Sequence, residues 1–232
     1  MRSAEHLNYW LDIRDEAEAR KKIITDCEFN KTTDEDAERI RKALDIKDTD
    51  VVLDYGCGIG RLMKPISDIC HTIIGLDISE TMIMYGIKYC KGHHNCIFKP
   101  MQSVAAIPLK ESCADKIYSH IVLQHMERAD AFKALSEMAR CLKMSGKIYL
   151  QYPDIHQEAY VYHQVQRHQG GLISPLLKFY TKDELEMIFE KIRLKIIKIE
   201  KKGCDWFVLA EKSEPTLLFG EILYSTKVKD DE

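Results

Sequence analysis

A glycine-rich turn between an apolar run and a helical pattern is the feature that most constrains the fold of this chain. Residues 51–53, Val-Val-Leu, are typical of a buried parallel strand, and Asp54 follows them. Glycines then stand at every second position, Gly56, Gly58 and Gly60, before apolar residues recur at helical spacing. Strand, glycine turn and helix form the first unit of a nucleotide-binding βαβ fold. The turn needs glycine because a Cβ would hold the backbone away from a ligand and disfavour positive φ.

The spacing of these glycines separates two classes of cofactor. A dinucleotide fingerprint reads Gly-x-Gly-x-x-Gly. Counted from Gly56, its third glycine would fall at position 61, which is Arg61. The observed pattern is Asp-x-Gly-x-Gly-x-Gly instead, which disfavours an oxidoreductase that uses NAD.

At this point the sequence resembles the class I (Rossmann-like) S-adenosylmethionine-dependent methyltransferases, of the small-molecule type. In family order, the segments that carry the resemblance are 54–61 (Asp-Tyr-Gly-Cys-Gly-Ile-Gly-Arg), 73–79 (Ile-Ile-Gly-Leu-Asp-Ile-Ser), 107–108 (Ile-Pro), 115–125, 142–143 (Leu-Lys) and 146–147 (Gly-Lys). The resemblance implies S-adenosyl-L-methionine as the cofactor and methyl transfer as the reaction. It says almost nothing about the methyl acceptor.

Bulk properties restrict the class of protein further. A length of 232 residues fits one large α/β domain, and a net charge of −3 gives no global reason to expect nucleic acid as a partner. None of the eight cysteines forms a Cys-x-x-Cys pair, which argues against a zinc site. The N-terminus lacks an apolar signal region, and no run reaches transmembrane length. We expect a reduced, cytoplasmic protein without membrane insertion, and the sequence leaves its oligomeric state open.

Alternating strand and helix patterns predict an α/β fold. We expect a doubly wound, seven-stranded and mostly parallel sheet with a closing antiparallel hairpin, an N-terminal helical segment and an insertion after the fifth strand. The predicted strands are 51–53, 72–77, 96–99, 115–122, 147–152, 194–200 and 205–211. The turn Ser145-Gly146 leads into the fifth strand, and the hairpin turns at Lys202-Gly203.

Three regions are predicted along the chain. Residues 1–47 form an N-terminal helical cap packed on the core, whose second helix begins at Thr33 or Asp34; residues 48–213 form the methyltransferase core, and residues 214–232 form a tail. In related methyltransferases a segment before the first strand often covers the cofactor pocket, so Tyr9 and Trp10 are candidates for closing it. The alternative is that both aromatic residues only anchor the helix to the core.

The resemblance assigns roles to the residues at the first two strand ends. The backbone of the three glycines would approach the methionine part and the ribose of the cofactor. Asp54 would orient the turn and the cofactor's amino group. Asp77 would accept hydrogen bonds from both ribose hydroxyls, a charge-assisted arrangement, and Ile78 would line one face of the adenine.

The adenine end of the site departs from the family pattern. The family often has an acid about five positions before the Leu-Pro pair that corresponds to 107–108, and this chain has Ser103 there. Gln102 or Ser103 is the candidate for the adenine amino group, and Val104 for packing on the ring. Ser119, with residues 120–121, follows the apolar run of the fourth strand, where the family lines the methyl-donor pocket.

Two histidines are candidate catalytic bases. His125 matches the histidine of a Leu-x-His ending common in small-molecule methyltransferases, and His120 is the second candidate. A histidine titrates near neutrality and can take a proton from a hydroxyl or an amine. Alternatively, His125 only fixes its loop through backbone hydrogen bonds. The pair His93-His94 has no third ligand nearby in sequence, so we expect no metal site.

The insertion 154–180 is the candidate substrate lid, because it follows the fifth strand at the carboxyl edge of the sheet. Tyr160, His163 and Arg167 are its candidate acceptor contacts, with Arg167 suited to a phosphate or a carboxylate. An ordinary surface excursion is the alternative.

The sequence therefore predicts methyl transfer from S-adenosylmethionine to an O or N atom of a small-molecule acceptor. Two alternatives stay open: a methyltransferase that acts on RNA or protein, and a non-catalytic partner subunit that binds S-adenosylmethionine. The Asn-Pro-Pro-Tyr loop of several nucleic-acid amino-methylating enzymes is absent, because residues 119–122 read Ser-His-Ile-Val.

Overall fold

A computed structural model describes residues 10–13, 15, 18–19, 26–156 and 177–215 of the chain. Tyr9, most of the predicted lid, including Tyr160, His163 and Arg167, and residues 216–232 lie outside the described residues.

Strands and helices alternate through the described core. In chain order the elements are α1 Asp26–Leu44, β1 Val51–Tyr55, α2 Met63–Ser67, β2 Thr72–Asp77, α3 Glu80–Tyr89, β3 Cys96–Pro100, β4 Ala114–Ser119, a 3₁₀ turn Leu123–His125, α4 Arg128–Cys141, β5 Leu142–Pro153, α5 Lys182–Lys191, β6 Leu194–Lys202 and β7 Asp205–Lys212.

The seven strands form one sheet in the order β3-β2-β1-β4-β5-β7-β6. Strands β1 to β5 pair in parallel, and β7 lies antiparallel between β5 and β6. The predicted fold class, a doubly wound and mostly parallel sheet with a closing antiparallel hairpin, is confirmed. Strand order reverses between β1 and β4, and in open α/β sheets ligands bind at such a switch point, beyond the carboxyl ends of the strands.

Apolar side chains cover both faces of the sheet, as parallel strands require. Alternate residues of β1 face opposite sides: Val52 packs with Ile40 of α1 and Ile66 of α2, whereas Leu53 packs with Leu135 of α4. All five of these apolar side chains are almost completely buried. The β1 end is therefore fixed from both faces, which holds the turn that follows it.

Strand β4 is shorter than predicted. It ends at Ser119 rather than at Val122, because Ile121 adopts a φ of +59° that a strand cannot accommodate. The backbone N–H of Ile121 donates to Oε1 of Gln151 at 3.1 Å, which fixes the turn. The chain therefore leaves the sheet three residues early, and residues 120–122 lie over the edge of the sheet.

Strand β5 and the hairpin differ from the prediction at their turns. The predicted turn Ser145-Gly146 is an irregularity inside β5, where the register shifts and Ser145 has a φ of +61°. The hairpin turn lies at Gly203 and Cys204, one residue later than predicted, and Gly203 has a φ of +58°. A two-residue hairpin favours residues with positive φ, which explains the glycine.

The N-terminal region contacts the core through α1 and through a small apolar cluster. Helix α1 begins at Asp26, earlier than predicted. Trp10 packs against a cluster that includes Ile13, Ile59 and Met82. Among the described residues, no helix combines the length and the apolar character needed to cross a membrane. The division into cap, core and tail stays a prediction.

Candidate active site

A cavity of about 980 Å³, including its open mouth, lies beyond the carboxyl ends of β1, β2 and β4. Its lining brings the predicted cofactor and base residues together in one place. The lining residues are Trp10, Asp54, Tyr55, Gly56, Cys57, Gly58, Arg61, Leu62, Asp77, Ile78, Met82, Met101, Val104, His120, Ile121, Val122, His125 and Met126.

The glycine turn after β1 forms one wall of the cavity. Gly56 and Gly58 have φ values of +80° and +53°, in the region that favours glycine. The backbone N–H groups of Gly56 and Cys57 both donate to the Leu76 carbonyl, at 2.8 and 2.9 Å, which ties the turn to the end of β2. A Cβ on Gly56 would lie 2.4 Å from Cγ2 of Val122, so no larger side chain fits between the turn and the loop after β4.

Gly60 has a different environment from the other two glycines. It is not among the cavity-lining residues, and a Cβ there would lie 2.8 Å from Cζ of Phe98 and 3.1 Å from Sγ of Cys90. Its φ is +74°. Gly60 therefore lies where the turn packs against α3 and β3, and it does not line the cavity.

Asp77 presents a fixed carboxylate at the tip of β2. Its Oδ2 accepts from the Gly58 backbone N–H at 2.8 Å, and its Oδ1 accepts from the Ser79 N–H at 2.9 Å. Burial raises the pKa of Asp77, and the hydrogen bonds from the backbone oppose that rise. Each carboxylate oxygen can accept a further bond. The carboxylate is thus oriented for a ligand with two neighbouring hydroxyl groups, and Ile78 lines the cavity beside it.

Asp54 is the most deeply buried acid of the cavity, at 3% exposure. The Tyr118 hydroxyl donates to its Oδ2 at 2.8 Å. Burial, with a further contribution from the charge of Asp77, raises the pKa of Asp54 to about 7, against the effect of the Tyr118 hydrogen bond. Asp54 therefore exchanges a proton near neutral pH, and a cation placed beside it would favour its ionised form.

The predicted adenine contacts are exposed and do not line the cavity. Gln102 and Ser103 lie in a turn outside it, where the Ser103 hydroxyl accepts from the Ala105 N–H at 3.2 Å. Met101 and Val104, on either side of them, line the cavity instead. The surface at this end is therefore apolar and suits a flat ring. Sequence reasoning named Val104 but missed Met101, which the strand-end position after β3 could have indicated.

The loop after β4 carries the predicted methyl-site residues. Ser119 lies beneath the cavity, where its hydroxyl donates to the Tyr55 carbonyl at 2.9 Å and joins β4 to β1. His120 and His125 both line the cavity. The ring of His125 packs edge-on against Trp10, with centroids 5.1 Å apart, so the N-terminal region reaches the cavity at this histidine.

His120 belongs to a buried charged cluster that sequence reasoning missed. Its Nε2 lies 3.2 Å from Oδ2 of Asp36 on α1, and Nη2 of Arg61 lies 3.1 Å from the same oxygen. Arg61 also donates to the Thr33 hydroxyl at 3.3 Å, and Arg39 pairs with the other oxygen of Asp36. The signal in the sequence was Arg61 itself, a charged residue in an otherwise apolar turn, which we used only to exclude a dinucleotide site.

The histidine pair 93–94 lies in the loop between α3 and β3, where His93 contacts two polar side chains. Nδ1 of His93 lies 2.9 Å from the Ser67 hydroxyl and 3.4 Å from Oδ1 of Asp68. Within the described part of the chain, no group of three or more His, Cys, Asp or Glu side chains is arranged to hold a metal ion.

The fold and the cavity together define an α/β protein with a nucleotide-type ligand site at its topological switch point. Residues 53–150 match a family model described as a methyltransferase domain. Residues 53–150 are therefore a class I methyltransferase domain, whose methyl donor is S-adenosylmethionine. The predictions of the enzyme class and of the cofactor are confirmed.

Solved structures of methyltransferases share this fold. One is an S-adenosylmethionine-dependent methyltransferase from Aquifex aeolicus, with 18% identity over 86% of this chain and 100% of that chain, and a TM-score of 0.66. Another is magnesium protoporphyrin IX methyltransferase from Synechocystis with bound S-adenosylhomocysteine, with 16% identity over 91% and 96% of the two chains and a TM-score of 0.65. A third comes from a complex of the Haloferax volcanii Trm112 methyltransferase activator with an inferred methyltransferase, with 19% identity over 88% and 100%, and a TM-score of 0.67.

Proposed function

We propose that this protein transfers the methyl group of S-adenosylmethionine to an O or N atom of a small-molecule acceptor, and releases S-adenosylhomocysteine. One observation carries the proposal: a single cavity is lined by the glycine turn, by the carboxylate of Asp77 and by two histidines. The first two features suit an adenosyl ligand. The histidines suit an acceptor that loses a proton.

We assign the cofactor to the side of the cavity formed by β1 and β2. Asp77 would bind the ribose hydroxyls, while Met101 and Val104 would enclose the adenine. The backbone at Gly56 and Gly58 would approach the ribose and the methionine part. Asp54, buried beside them, would face the positively charged end of the cofactor.

We assign the acceptor to the side formed by the loop after β4 and by Trp10. The sulfonium already activates the methyl carbon, so the protein has to align nucleophile, carbon and sulfur, which is mainly an effect of proximity and orientation. An acceptor with a hydroxyl or an ammonium group would also need a base, and His120 and His125 both line this side. Outside the described residues, Tyr160, His163 and Arg167 stay candidates for acceptor contacts.

A small acceptor is favoured over a macromolecule by the shape and charge of the site. The cavity walls are mostly apolar, and the net charge of −3 offers no broad basic face for RNA. The alternative is a macromolecular acceptor, with an activity that depends on a partner protein. We retain this alternative because one structural neighbour forms a complex with the Trm112 activator. The seven described cysteines are all free thiols, which fits the cytoplasmic location that we propose.

The proposal is tested first by titrating the protein with S-adenosylmethionine in a calorimeter. We expect binding by the native chain and a loss of at least tenfold in affinity for Asp77→Ala, because the ribose hydroxyls lose a charge-assisted partner. Asp48→Ala, at an exposed position in the loop before β1, is the matched control and should leave the affinity unchanged.

Turnover is tested by measuring S-adenosylhomocysteine release with a panel of hydroxyl, carboxyl and amine metabolites, and separately with RNA and protein extracts. Release with a small-molecule fraction supports the proposal. Release only with RNA or protein favours the alternative, and binding without release by any fraction favours a non-catalytic subunit.

A further inference from the structure

We propose that Asp36 is a positioning residue that holds His120 with Nε2 protonated, so that Nδ1 of His120 takes the proton of the methyl acceptor. The inference rests on the proposed function and deepens it. It selects one of the two candidate histidines as the base, and it restricts the acceptor to a group that carries a proton, a hydroxyl or an ammonium.

The geometry of the pair fixes which ring nitrogen holds the proton. Nε2 of His120 lies 3.2 Å from Oδ2 of Asp36, and an ionised carboxylate only accepts hydrogen bonds. The proton therefore stays on Nε2, and the lone pair stays on Nδ1. Nδ1 makes no hydrogen bond to any other residue within the described ranges, and His120 is one of the residues that line the cavity. A histidine whose second nitrogen is held by a carboxylate is a common arrangement for a general base.

The position of Asp36 is itself determined by two arginines from different elements. Arg61, which follows β1 and is 5% exposed, donates to the same Oδ2 at 3.1 Å. Arg39, one turn further along α1, pairs with Oδ1. A hydroxyl from Thr33 accepts from Arg61 at 3.3 Å and links the arginine back to α1. The carboxylate is thus held from both sides, which a merely space-filling acid would not require.

The charged groups that act on His120 lie on three parts of the fold. Asp36 and Arg39 lie on α1, Arg61 on the turn after β1, and Asp205 at the start of β7. Burial lowers the pKa of His120, and the hydrogen bond and charge of Asp36 oppose this effect. At neutral pH the imidazole is therefore uncharged and can accept a proton.

Asp36 stays ionised at neutral pH. Burial alone would raise the pKa of Asp36, but the hydrogen bond to His120 and the charges of Arg39 and Arg61 hold it well below its usual range. The negative charge is therefore present when His120 becomes an imidazolium, and it stabilises that cation in a site with little water.

A hydroxyl oxygen already has a lone pair for the attack, whereas an ammonium must first give a proton to Nδ1 of His120, which frees the lone pair of its nitrogen. That lone pair forms a bond to the methyl carbon, and the carbon–sulfur bond breaks with its electron pair going to sulfur. S-adenosylhomocysteine leaves uncharged at sulfur. The acceptor's proton moves to Nδ1 of His120, and the imidazolium later releases it to water.

The test is nitrogen-edited nuclear magnetic resonance of the histidine side chains, which needs no acceptor. In the native protein with S-adenosylhomocysteine we expect His120 in the Nε2–H form, with that proton protected from exchange. In Asp36→Ala the protection is lost. In Asp36→Asn, which keeps the shape but not the charge, the pKa of His120 falls further. Asp68→Ala, which removes the exposed partner of His93, is the matched control and leaves His120 unchanged.

Three outcomes would overturn the inference. They are an Nδ1–H form of His120 in the native protein, an unprotected Nε2–H, or an unchanged pKa in Asp36→Asn. The first two need no variant, so a failure of Asp36→Ala to fold does not prevent the test. S-adenosylmethionine titration of the same samples separates this inference from the proposed function. If the native protein does not bind S-adenosylmethionine, the proposed function is refuted. If it binds but His120 is in the Nδ1–H form, only the role of Asp36 is refuted.

Once an acceptor is found, the rate profile gives a second readout. His120→Gln should lower kcat by roughly 10²–10⁴-fold, the usual contribution of a general base. Asp36→Asn should lower kcat and move its acid limb to lower pH, because the weaker imidazole protonates later. If the acid limb of the kcat profile lay at the same pH in Asp36→Asn as in the native protein, Asp36 would have a purely structural role.

Discussion

Replacing Asp54 with asparagine should stabilise the folded protein while weakening the cofactor site. Asp54 is buried at the end of β1, where the Tyr118 hydroxyl donates to its Oδ2 at 2.8 Å. Asparagine has nearly the same shape and can accept the same hydrogen bond, but it never ionises. The variant therefore isolates the free energy of burying a charge at this position.

The sign follows from the direction of the pKa shift. The pKa of Asp54 is raised from 3.8 to about 7, so the unfolded chain ionises at lower pH than the folded one. Well below pH 4 the group is protonated in both states and costs nothing. Between pH 4 and 7, unfolding releases a proton, and the free energy of unfolding falls as pH rises. Above pH 7 the group is ionised in both states, and the loss is constant.

The size of the effect follows from the same shift. One pKa unit corresponds to about 1.4 kcal/mol, so a rise from 3.8 to about 7 gives a loss of roughly 4 kcal/mol at pH 8. Asp54→Asn removes this loss. We expect its free energy of unfolding to exceed that of the native protein by up to ~4 kcal/mol at pH 8, but only by ~0.5 kcal/mol at pH 4.

Urea unfolding of both proteins across pH 4 to 8 measures the difference directly. Asp115→Asn is the control, because Asp115 also lies in a core strand, at the start of β4, but has a lowered pKa. Burial would raise the pKa of Asp115, and the hydrogen bonds from the Val51 N–H and Lys143 outweigh burial. A lowered pKa stabilises the folded state above the unfolded pKa, so this control should be less stable than the native protein at pH 8. Parallel stability curves for native protein and Asp54→Asn would refute the reasoning.

The same carboxyl group links cofactor binding to proton release. A sulfonium or ammonium beside Asp54 favours its ionised form, so binding at pH 6 should expel close to one proton from this group, and almost none at pH 8.5. Calorimetry in two buffers with different ionisation enthalpies counts these protons. Asp54→Asn should release about one proton fewer at pH 6 and bind more weakly. Equal proton release by both proteins would place the cofactor's charge elsewhere.

Two further changes test the backbone of the site and of the scaffold. Gly56→Ala and Gly92→Ala both place a side chain at positive φ, which should lower the free energy of unfolding by ~1–2 kcal/mol. Only the Cβ at position 56 meets Val122, and this clash should cost a further ~1–3 kcal/mol. Gly56→Ala should also abolish cofactor binding in a titration. If urea unfolding showed the same loss of unfolding free energy for Gly56→Ala and Gly92→Ala, a tight contact between the turn and the loop after β4 would be contradicted. Thr181→Ala removes the hydroxyl that accepts from the Glu184 N–H at 3.1 Å and should lower the free energy of unfolding by ~1 kcal/mol, without any change in cofactor affinity.

The grouping of the proposed cofactor residues was predictable because these residues are close in sequence. Asp54, Gly56 and Gly58 belong to one strand and turn, and Asp77 and Ile78 end the next strand. Parallel neighbours place their carboxyl ends at the same edge, so a correct strand assignment already brings these residues together. The pattern did not predict the orientation of the turn that carries Gln102 and Ser103. In that turn a shift of one residue decides which side chains point toward the cavity.

The arrangement of the proposed acceptor side was only partly predictable, for a physical reason. His120 was a candidate from its position after β4, but its partner Asp36 lies 84 positions earlier on another element. No periodicity relates two residues at that separation, and only the packing of α1 on the sheet brings them together. The early end of β4 has the same origin, because Ile121 adopts its positive φ within a loop whose N–H is held by β5.

The division between the two sides also explains why the domain match says so much about the cofactor and so little about the acceptor. The match spans residues 53–150 and contains the glycine turn, Asp77 and the loop after β4. Trp10 and Asp36 both precede it, yet one packs on His125 and the other holds His120. Both candidate bases therefore depend on the N-terminal region. A chain could keep the same matched core, and the same methyl donor, while a different N-terminal region changed the chemistry of the acceptor side.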